Sequence, residues 1–265
     1  MLYKREEVET KMRLVIKIGT STLAHKGGRL NIRRTEELCK IISDLKNQGI
    51  EIILVSSGAI GMGRGKLSIQ SQITDMPTKQ AAAAVGQCEL MYVYDKQFSE
   101  YNHLVAQILL TAADVKSEER HQNFSNTLSR LLELGVIPII NENDTIATEE
   151  IVIGDNDTLA AIVATSAKAD LLVLLSDIDG LYSADPHLDE DAKLISEVHE
   201  LNDEIMGLGG GSNSALGTGG MKTKLTAAKM CMENGCDMII ANGSDPMLLY
   251  DIVDGKKVGT RFFGK

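Results

Sequence analysis

Apolar residues along the chain occur in short, nearly continuous runs that alternate with segments of helical periodicity. Runs of this kind, rich in branched residues, predict β-strands that are covered on both faces. They are RLVIKIG (13–19), EIILVSS (51–57), LVAQILL (104–110), VIPIIN (136–141), DLLVLLSD (170–177) and DMIIANG (237–243). The segments that predict helices are 31–49, 78–100, 123–135 and 156–170. This alternation predicts an α/β fold with a mainly parallel sheet.

Small polar residues follow most of the predicted strands. They stand in KIGTST (17–22), SSGAIGMG (56–63), NENDT (141–145), SDIDGLY (176–182) and NGSD (242–245). In open α/β sheets, ligands bind beyond the carboxyl ends of the strands. We therefore expect the functional site to lie along this edge of the sheet.

Composition narrows the class of ligand and partner. The chain has 265 residues, a length that suits one domain or two lobes, and a formal net charge of −10. Nucleic-acid binders usually carry net positive charge, so no nucleic-acid partner is expected, and an anionic ligand must meet locally placed cations.

No apolar run approaches the roughly 18 residues of a membrane span, and the start is too charged for a signal peptide. We expect a cytoplasmic protein without a membrane partner.

The four cysteines carry no sign of a metal site. Cys39, Cys88, Cys231 and Cys236 show neither C-x-x-C spacing nor a companion histidine cluster. This pattern favours a reducing compartment and predicts four small core residues. The acidic clusters lack the spacing of a calcium loop, so no metal bound by protein ligands alone is expected.

Lys17 stands inside the first apolar strand. A lysine buried there costs free energy unless an anion or a carboxylate meets its ammonium group. Its stem could instead run to the sheet edge, or the ammonium could pair with an acidic residue. Gly19, Thr20 and Ser21 follow at once and offer backbone and hydroxyl donors, which favours a phosphate site.

Two glycine-rich stretches resemble phosphate loops without matching the usual fingerprints. SSGAIGMGRG (56–65) never completes G-x-G-x-x-G, and GGGSNSALGTGGMKTK (209–224) lacks the P-loop order. The second stretch enters a helix whose first turn carries Lys222 and Lys224, a placement that the helix dipole disfavours unless an anion binds there. Because the two positions are about 200° apart around a helix, we expect one lysine to bind and the other to face solvent. A mobile surface loop with solvated lysines is the alternative.

Acidic and amide side chains concentrate in INENDTI (140–146) and IGDNDTLAA (153–161). Asn and Asp are typical turn and cap residues, and Asn156 or Asp157 could serve only as a helix N-cap. Two successive clusters with both donors and acceptors also suit a small zwitterion, whose ammonium needs carboxylates and whose carboxylate needs amides.

Seven runs in order, covering nearly the whole chain, resemble the amino acid kinase family. They are VIKIGTSTL, VSSGAIGMG, KQAAAAVGQ, VIPIINENDTIA, VIGDNDTLAA, LLSDIDGLYSADP and GTGGMKTKLTAA. The pair INEND and GDND resembles the branch of that family that phosphorylates glutamate. The resemblance implies a three-layer αβα sandwich around a mainly parallel sheet, a carbamate kinase-like fold. It further implies a glutamate-binding lobe (1–167) and an ATP-binding lobe (168–265). Many bacterial members of this branch resemble one another in carrying a C-terminal PUA domain, and we expect this chain to depart from them in having no C-terminal PUA domain.

The implied reaction transfers the γ-phosphoryl group of ATP, with Mg²⁺, to the side-chain carboxylate of L-glutamate. This gives γ-glutamyl phosphate in the first step of proline biosynthesis. By resemblance, the catalytic residues are Lys17, Lys224 and Asp157. The glutamate-binding residues by resemblance are Ser57, Asp144 and Asn156. Those implied to bind the nucleotide are Lys17, Ser176, Asp177, Thr218, Gly219, Gly220, Met221, Lys222, Thr223 and Lys224.

A carboxylate acceptor is already ionised at pH 7, so the implied reaction needs no general base. The resemblance also implies proline as a feedback inhibitor and a homodimer or homotetramer. Because acyl phosphates hydrolyse and cyclise readily, we also expect a complex with glutamyl phosphate reductase. One alternative is a sibling kinase that phosphorylates acetylglutamate, aspartate, carbamate or a nucleoside monophosphate. A second, from a different class, is a catalytically inactive sensor of ATP and an amino acid.

Overall fold

The computed structural model describes residues 11–25, 29–147, 156–186, 188–210 and 220–265. The strands are β1 (Arg13–Ile18), β2 (Glu51–Val55), β3 (Val105–Leu110), β4 (Ile137–Glu142), β5 (Leu171–Ser176), β6 (Leu181–Tyr182), β7 (Leu194–Ile195), β8 (Glu197–Val198), β9 (Asp237–Asn242) and β10 (Thr260–Phe262). The α-helices are α1 (Thr20–Leu23), α2 (Ile32–Asn47), α3 (Ala59–Lys66), α4 (Met76–Ser99), α5 (Ala112–Lys116), α6 (Glu118–Glu133), α7 (Asn156–Ser166), α8 (Asp203–Gly207), α9 (Met221–Glu233) and α10 (Leu248–Val253). A 3-10 helix, Leu208–Gly210, follows α8.

One eight-stranded sheet organises the described residues, in the order β3-β4-β2-β1-β5-β9-β10-β8. All neighbouring strands run parallel except β10, which is antiparallel to β9. The six apolar runs are β1 to β5 and β9, so the prediction of a mainly parallel sheet is confirmed. β6 and β7 form a separate antiparallel pair. The pattern did not predict β6, β7, β8 or β10, because strands of two or three residues show no periodicity.

Alternation of side chains along the strands divides the core between two helical layers. On one face, Val15 and Ile53 pack in a cluster with residues of α6, α7 and α9. On the other, Leu14 and Ile16 pack with residues of α2, α4 and α10. The three-layer αβα sandwich is therefore confirmed.

Strands from the two halves of the sequence occupy the two halves of the sheet. β1 to β4 lie on one side, the strands β5, β8, β9 and β10 lie on the other, and the β1–β5 pair joins them. The division into lobes 1–167 and 168–265 stays a prediction, since the sheet itself is continuous across that boundary.

The first glycine-rich stretch forms helix α3 rather than an open loop. A Cβ on Gly63 would lie 1.8 Å from the carbonyl oxygen of Ala82, and one on Gly86 would lie 1.7 Å from that of Ala59. These glycines therefore let α3 and α4 pack backbone against backbone. Gly58, with φ of 95°, makes the turn from the strand into α3.

Three of the four cysteines are core residues, as expected, and the fourth is not. Cys39, Cys231 and Cys236 are buried, whereas Cys88 is exposed on α4. The prediction for Cys88 was wrong because α4 carries apolar residues, many of them alanine, around much of its circumference. The sequence pattern therefore does not indicate which face of this helix is buried. Within the described ranges, no helix combines the length and the apolarity needed to cross a membrane.

Candidate active site

Two lysines from different parts of the fold converge on one buried carboxylate. Lys17 Nζ lies 2.7 Å from Oδ1 of Asp157, and Lys224 Nζ lies 2.9 Å from Oδ2 of the same residue. The side chains are 12%, 1% and 6% exposed for Lys17, Asp157 and Lys224, respectively. We call these three residues the lysine–aspartate cluster. Lys17 is thus paired with an acid, one of the alternatives that its position in the strand left open.

Strand and helix geometry bring the lysine–aspartate cluster together. Lys17 shares a face of β1 with Val15, and that face packs against α7 and α9. Asp157 lies in the first turn of α7, where the helix dipole favours a negative charge, and Lys224 lies in the first turn of α9. The Thr223 hydroxyl is 3.3 Å from Oδ2 of Asp157 and donates to the carbonyl of Gly220 at 2.7 Å.

The lysine–aspartate cluster joins two basic side chains to one carboxylate. Burial by itself would raise the pKa of Asp157, but the charges of Lys17 and Lys224 outweigh it and hold the pKa below its ordinary value. Asp157 is therefore ionised at neutral pH, and the charges of the three side chains sum to +1. A cluster of this kind, at the carboxyl edge of the sheet, can attract an anion and neutralise charge that develops on it.

The second lysine of the α9 turn behaves differently from the first. Lys222 is exposed while Lys224 is buried, which agrees with the expectation that the two positions face different surroundings. Gly220 is the N-cap residue of α9, and Met221 is its first helical residue. Thr218 and Gly219, which were also assigned to the nucleotide, lie outside the described residues.

Asn156 ties the ends of β2 and β4 to the start of α7. Its Nδ2 lies 2.7 Å from the carbonyl oxygen of Ser56, 2.7 Å from Oγ of Ser57 and 3.2 Å from Oδ1 of Asn141. Two of the three residues assigned to glutamate, Ser57 and Asn156, are therefore in direct contact. Asn156 begins the helix next to Asp157, so this pair adjoins the lysine–aspartate cluster.

Asp144 follows β4 and is partly buried. Burial, and secondarily the negative charge of Glu142, raise the pKa of Asp144 to about 6. Glu142 is itself buried, and the sequence motifs assigned it no role although it stands in INEND. A carboxyl group that is costly to ionise in the free protein is suited to binding a cation, which would stabilise its charged form.

Ser176 and Asp177 lie at the end of β5, on the other half of the sheet. The Ser176 hydroxyl donates to Oδ1 of Asp177 at 3.2 Å. Both residues line a cavity of about 190 Å³, together with Arg34 and Asn242 among others. In the part of the chain that the structure describes, no three His, Cys, Asp or Glu side chains come together in a way that could hold a metal ion.

Comparisons with known proteins agree on family and fold. The model of the amino acid kinase family matches residues 12–242. The chain is 50% identical over 265 residues to glutamate 5-kinase of Clostridium perfringens (strain 13 / Type A), covering 98% of each chain. It is 52% identical over 251 residues to glutamate 5-kinase of Caldanaerobacter subterraneus subsp. tengcongensis, covering 95% of this chain and 68% of that one.

Two solved structures share the fold at low sequence identity. Carbamate kinase from Giardia lamblia bound to AMP-PNP has a TM-score of 0.68 at 16% identity, covering 97% of this chain and 99% of that one. UMP kinase from Ureaplasma parvum has a TM-score of 0.66 at 16% identity, covering 94% of this chain and 97% of that one. Likeness at this level concerns the fold alone.

Proposed function

Because the chain belongs to the amino acid kinase family, as its motifs predicted, we propose that it transfers the γ-phosphoryl group of ATP to the side-chain carboxylate of L-glutamate. The relatives that match over nearly the whole chain are glutamate 5-kinases, and their name supplies the acceptor. The product is γ-glutamyl phosphate, and the reaction is the first step of proline biosynthesis.

The observation that carries the proposal is the lysine–aspartate cluster. Phosphoryl transfer needs little covalent chemistry from the protein and depends on positioning and on neutralising the charge of the transferring group. Lys17 and Lys224 approach from β1 and α9, so their ammonium groups can contact that group from two sides, and Asp157 holds both side chains in place. The glutamate carboxylate is already ionised at neutral pH, so the step requires no base from the protein.

Mg²⁺ would reach the site bound to the phosphates of ATP. In nucleotide sites this ion is usually held by substrate phosphates and waters with only one or two carboxylates. The donors described at the sheet edge fit that pattern, because Asp177 contributes one carboxylate there without a cluster of further acids. When bound, the ion neutralises charge on the β- and γ-phosphates.

Glutamate would bind on the half of the sheet formed by β2 and β4. Asp144 would accept its ammonium group, while Ser57 and Asn156 would contact its polar groups next to the lysine–aspartate cluster. ATP would bind over the other half, where Ser176 and Asp177 end β5, with its phosphates at the glycine-rich start of α9. In this proposal the lobe 1–167 binds glutamate and the lobe 168–265 binds ATP.

Trapping the acyl phosphate with hydroxylamine tests the function directly. With MgATP and hydroxylamine, the protein is expected to form γ-glutamyl hydroxamate from L-glutamate, and much less hydroxamate from acetylglutamate or aspartate. A product from another acceptor alone would identify a sibling kinase. No hydroxamate from any of the three would contradict the proposed function. ADP release with carbamate or a nucleoside monophosphate would then identify a sibling kinase, and ATP binding without transfer to any acceptor would favour the sensor.

The pKa of Asp144 predicts how glutamate binding depends on pH. A bound ammonium group favours the carboxylate form, so the pKa of Asp144, about 6 in the free protein, should be lower in the complex. Affinity for glutamate is then fully present about one pH unit or more above pH 6 and falls as the pH drops through that value. We expect the KM for glutamate to rise by up to about fivefold between pH 6 and pH 5, with a smaller change in the KM for MgATP.

The variant Asp144→Asn is the control for this pH effect. It should have a raised KM for glutamate at pH 7.5, and that KM should change little down to pH 5. A steep pH dependence that persists in the variant would assign the titration to another group and contradict the proposed role of Asp144.

The same site suggests a regulator. Proline carries an α-carboxylate and an ammonium group in the same relation as glutamate, so we propose that it competes for the Asp144 side of the pocket. From the family resemblance we further propose a homodimer or homotetramer. We also propose that the protein works in the cytoplasm and associates with glutamyl phosphate reductase. Such an association would shorten the lifetime of a product that hydrolyses and cyclises readily.

A further inference from the structure

Gln87 on α4 is a buried polar residue that the proposed mechanism does not use. It is 7% exposed, and its Oε1 accepts a hydrogen bond from Nδ2 of Asn141 at 2.9 Å. Its own amide nitrogen, Nε2, has no hydrogen-bond partner among the described residues. A buried donor without an acceptor destabilises the fold, so its presence calls for an explanation.

The direction of the hydrogen bonds explains why Gln87 is arranged in this way. The backbone N–H of Glu142 can only donate, and it donates to Oδ1 of Asn141 at 2.9 Å. The other end of the Asn141 amide, Nδ2, must therefore face Gln87, and Gln87 must present its oxygen. Turning the Gln87 amide over would bring two NH₂ groups together. The unpaired Nε2 is thus a consequence of fixing the orientation of Asn141.

Asn141 is one of the acceptors that orient Asn156, and the carbonyl oxygen of Ser56, at 2.7 Å, is another. Oδ1 of Asn141 accepts from Nδ2 of Asn156, and the same nitrogen donates to Oγ of Ser57. Because Oγ of Ser57 accepts in this contact, its hydrogen is left to donate to a substrate carboxylate. Because the Asn156 nitrogen is engaged with protein acceptors, its carbonyl oxygen is left to accept from an ammonium group.

We propose that Gln87 is a positioning residue for the acceptor substrate. Together with the N–H of Glu142 it holds both ends of the Asn141 amide, and so it keeps Oδ1 of Asn141 in place beside Asn156 without touching the substrate. It thereby supports the pattern of donors and acceptors that Asn156 and Ser57 present. This inference rests on the proposed function, since glutamate is the zwitterion whose charges match that pattern. Gln87 acts on the β2–β4 side of the site, so the role concerns glutamate affinity rather than nucleotide affinity.

The variants Gln87→Met and Gln87→Glu test this role. Methionine removes the acceptor for Nδ2 of Asn141, so the KM for glutamate and the glutamate Kd from calorimetry should both rise about tenfold, with the KM for MgATP within about twofold of the original protein. Glutamate at position 87 keeps an oxygen facing Asn141, so its KM for glutamate should lie clearly below that of Gln87→Met.

Tyr94→Phe is the matched control for loss of a buried hydrogen bond. Tyr94 lies on the same helix and is fully buried, and its hydroxyl is 2.9 Å from Oγ of Ser56, outside the contacts of Asn141. This variant should lose thermal stability as Gln87→Met does, while its KM for glutamate stays within about twofold.

Three outcomes would overturn the role of Gln87. The first is a lowered Tm in Gln87→Met with an unchanged KM for glutamate. The second is an equal rise in the KM values of Gln87→Met for glutamate and for MgATP. The third is a Gln87→Glu protein that binds glutamate as weakly as Gln87→Met does. Failure of the original protein to form γ-glutamyl hydroxamate would instead contradict the proposed function, so the two failures are distinguishable.

Discussion

Replacing Lys224 with methionine is expected to lower kcat by a factor of about 10² to 10³ while the protein stays folded. Methionine retains most of the apolar stem in a position that is only 5% exposed, but it removes one of the two ammonium groups that would contact the transferring phosphoryl group. The KM for glutamate should change much less, because glutamate is assigned to Ser57, Asp144 and Asn156 rather than to Lys224. Steady-state kinetics with each substrate varied in turn would measure both effects.

Lys229→Met provides the comparison for Lys224→Met. Lys229 lies on the same helix and is exposed, so this change removes a lysine from α9 without touching the lysine–aspartate cluster. Its kcat should stay within about twofold of the original value, as is usual for a surface substitution. A Lys224→Met protein with equally unchanged kcat would remove Lys224 from the catalytic machinery.

Local patterns were sufficient to predict most of the fold. Nearly continuous apolarity marked β1 to β5 and β9, because strands that helices cover on both faces must be apolar on both. Asn31 accepts from the N–H of Arg34 at the start of α2, and Gly49, with φ of 96°, stands where the helix was expected to stop. Such signals depend on a few neighbouring residues, so they can be read without the tertiary structure.

The candidate site was predictable only in part. The rule that ligands bind at the carboxyl edge located the polar turns, but the meeting of Lys17, Asp157 and Lys224 at one point depends on how α7 and α9 cross the sheet. Gln87 gave no local signal, because its role depends on a contact with Asn141 in a strand that follows much later in the sequence. Likewise, the glycines of 56–65 resembled a phosphate loop in the sequence. In the structure, Gly63 instead allows the close packing of α3 against α4.

Asp157→Asn tests the other member of the lysine–aspartate cluster, and its largest expected effect is on stability. An amide of the same shape cannot neutralise two ammonium groups in a buried position. Removing one partner of a buried ion pair costs about 3–5 kcal/mol, so the free energy of unfolding at pH 7 should fall by roughly that amount. Urea unfolding at a series of pH values would measure it.

The pH dependence of that loss follows from the pKa of Asp157, which burial alone would raise but Lys17 and Lys224 hold below its ordinary value. A lowered pKa in the folded state means that the stabilisation by Asp157 is present above the pKa of the unfolded chain and is lost as the pH falls through the folded-state value. The difference in unfolding free energy between the two proteins should therefore narrow in acid.

Saturating MgATP should also stabilise Asp157→Asn more than the original protein, because phosphates supply the missing negative charge. A variant that is as stable as the original at pH 7, with an equal gain from MgATP, would show that Asp157 does not hold the two lysines together.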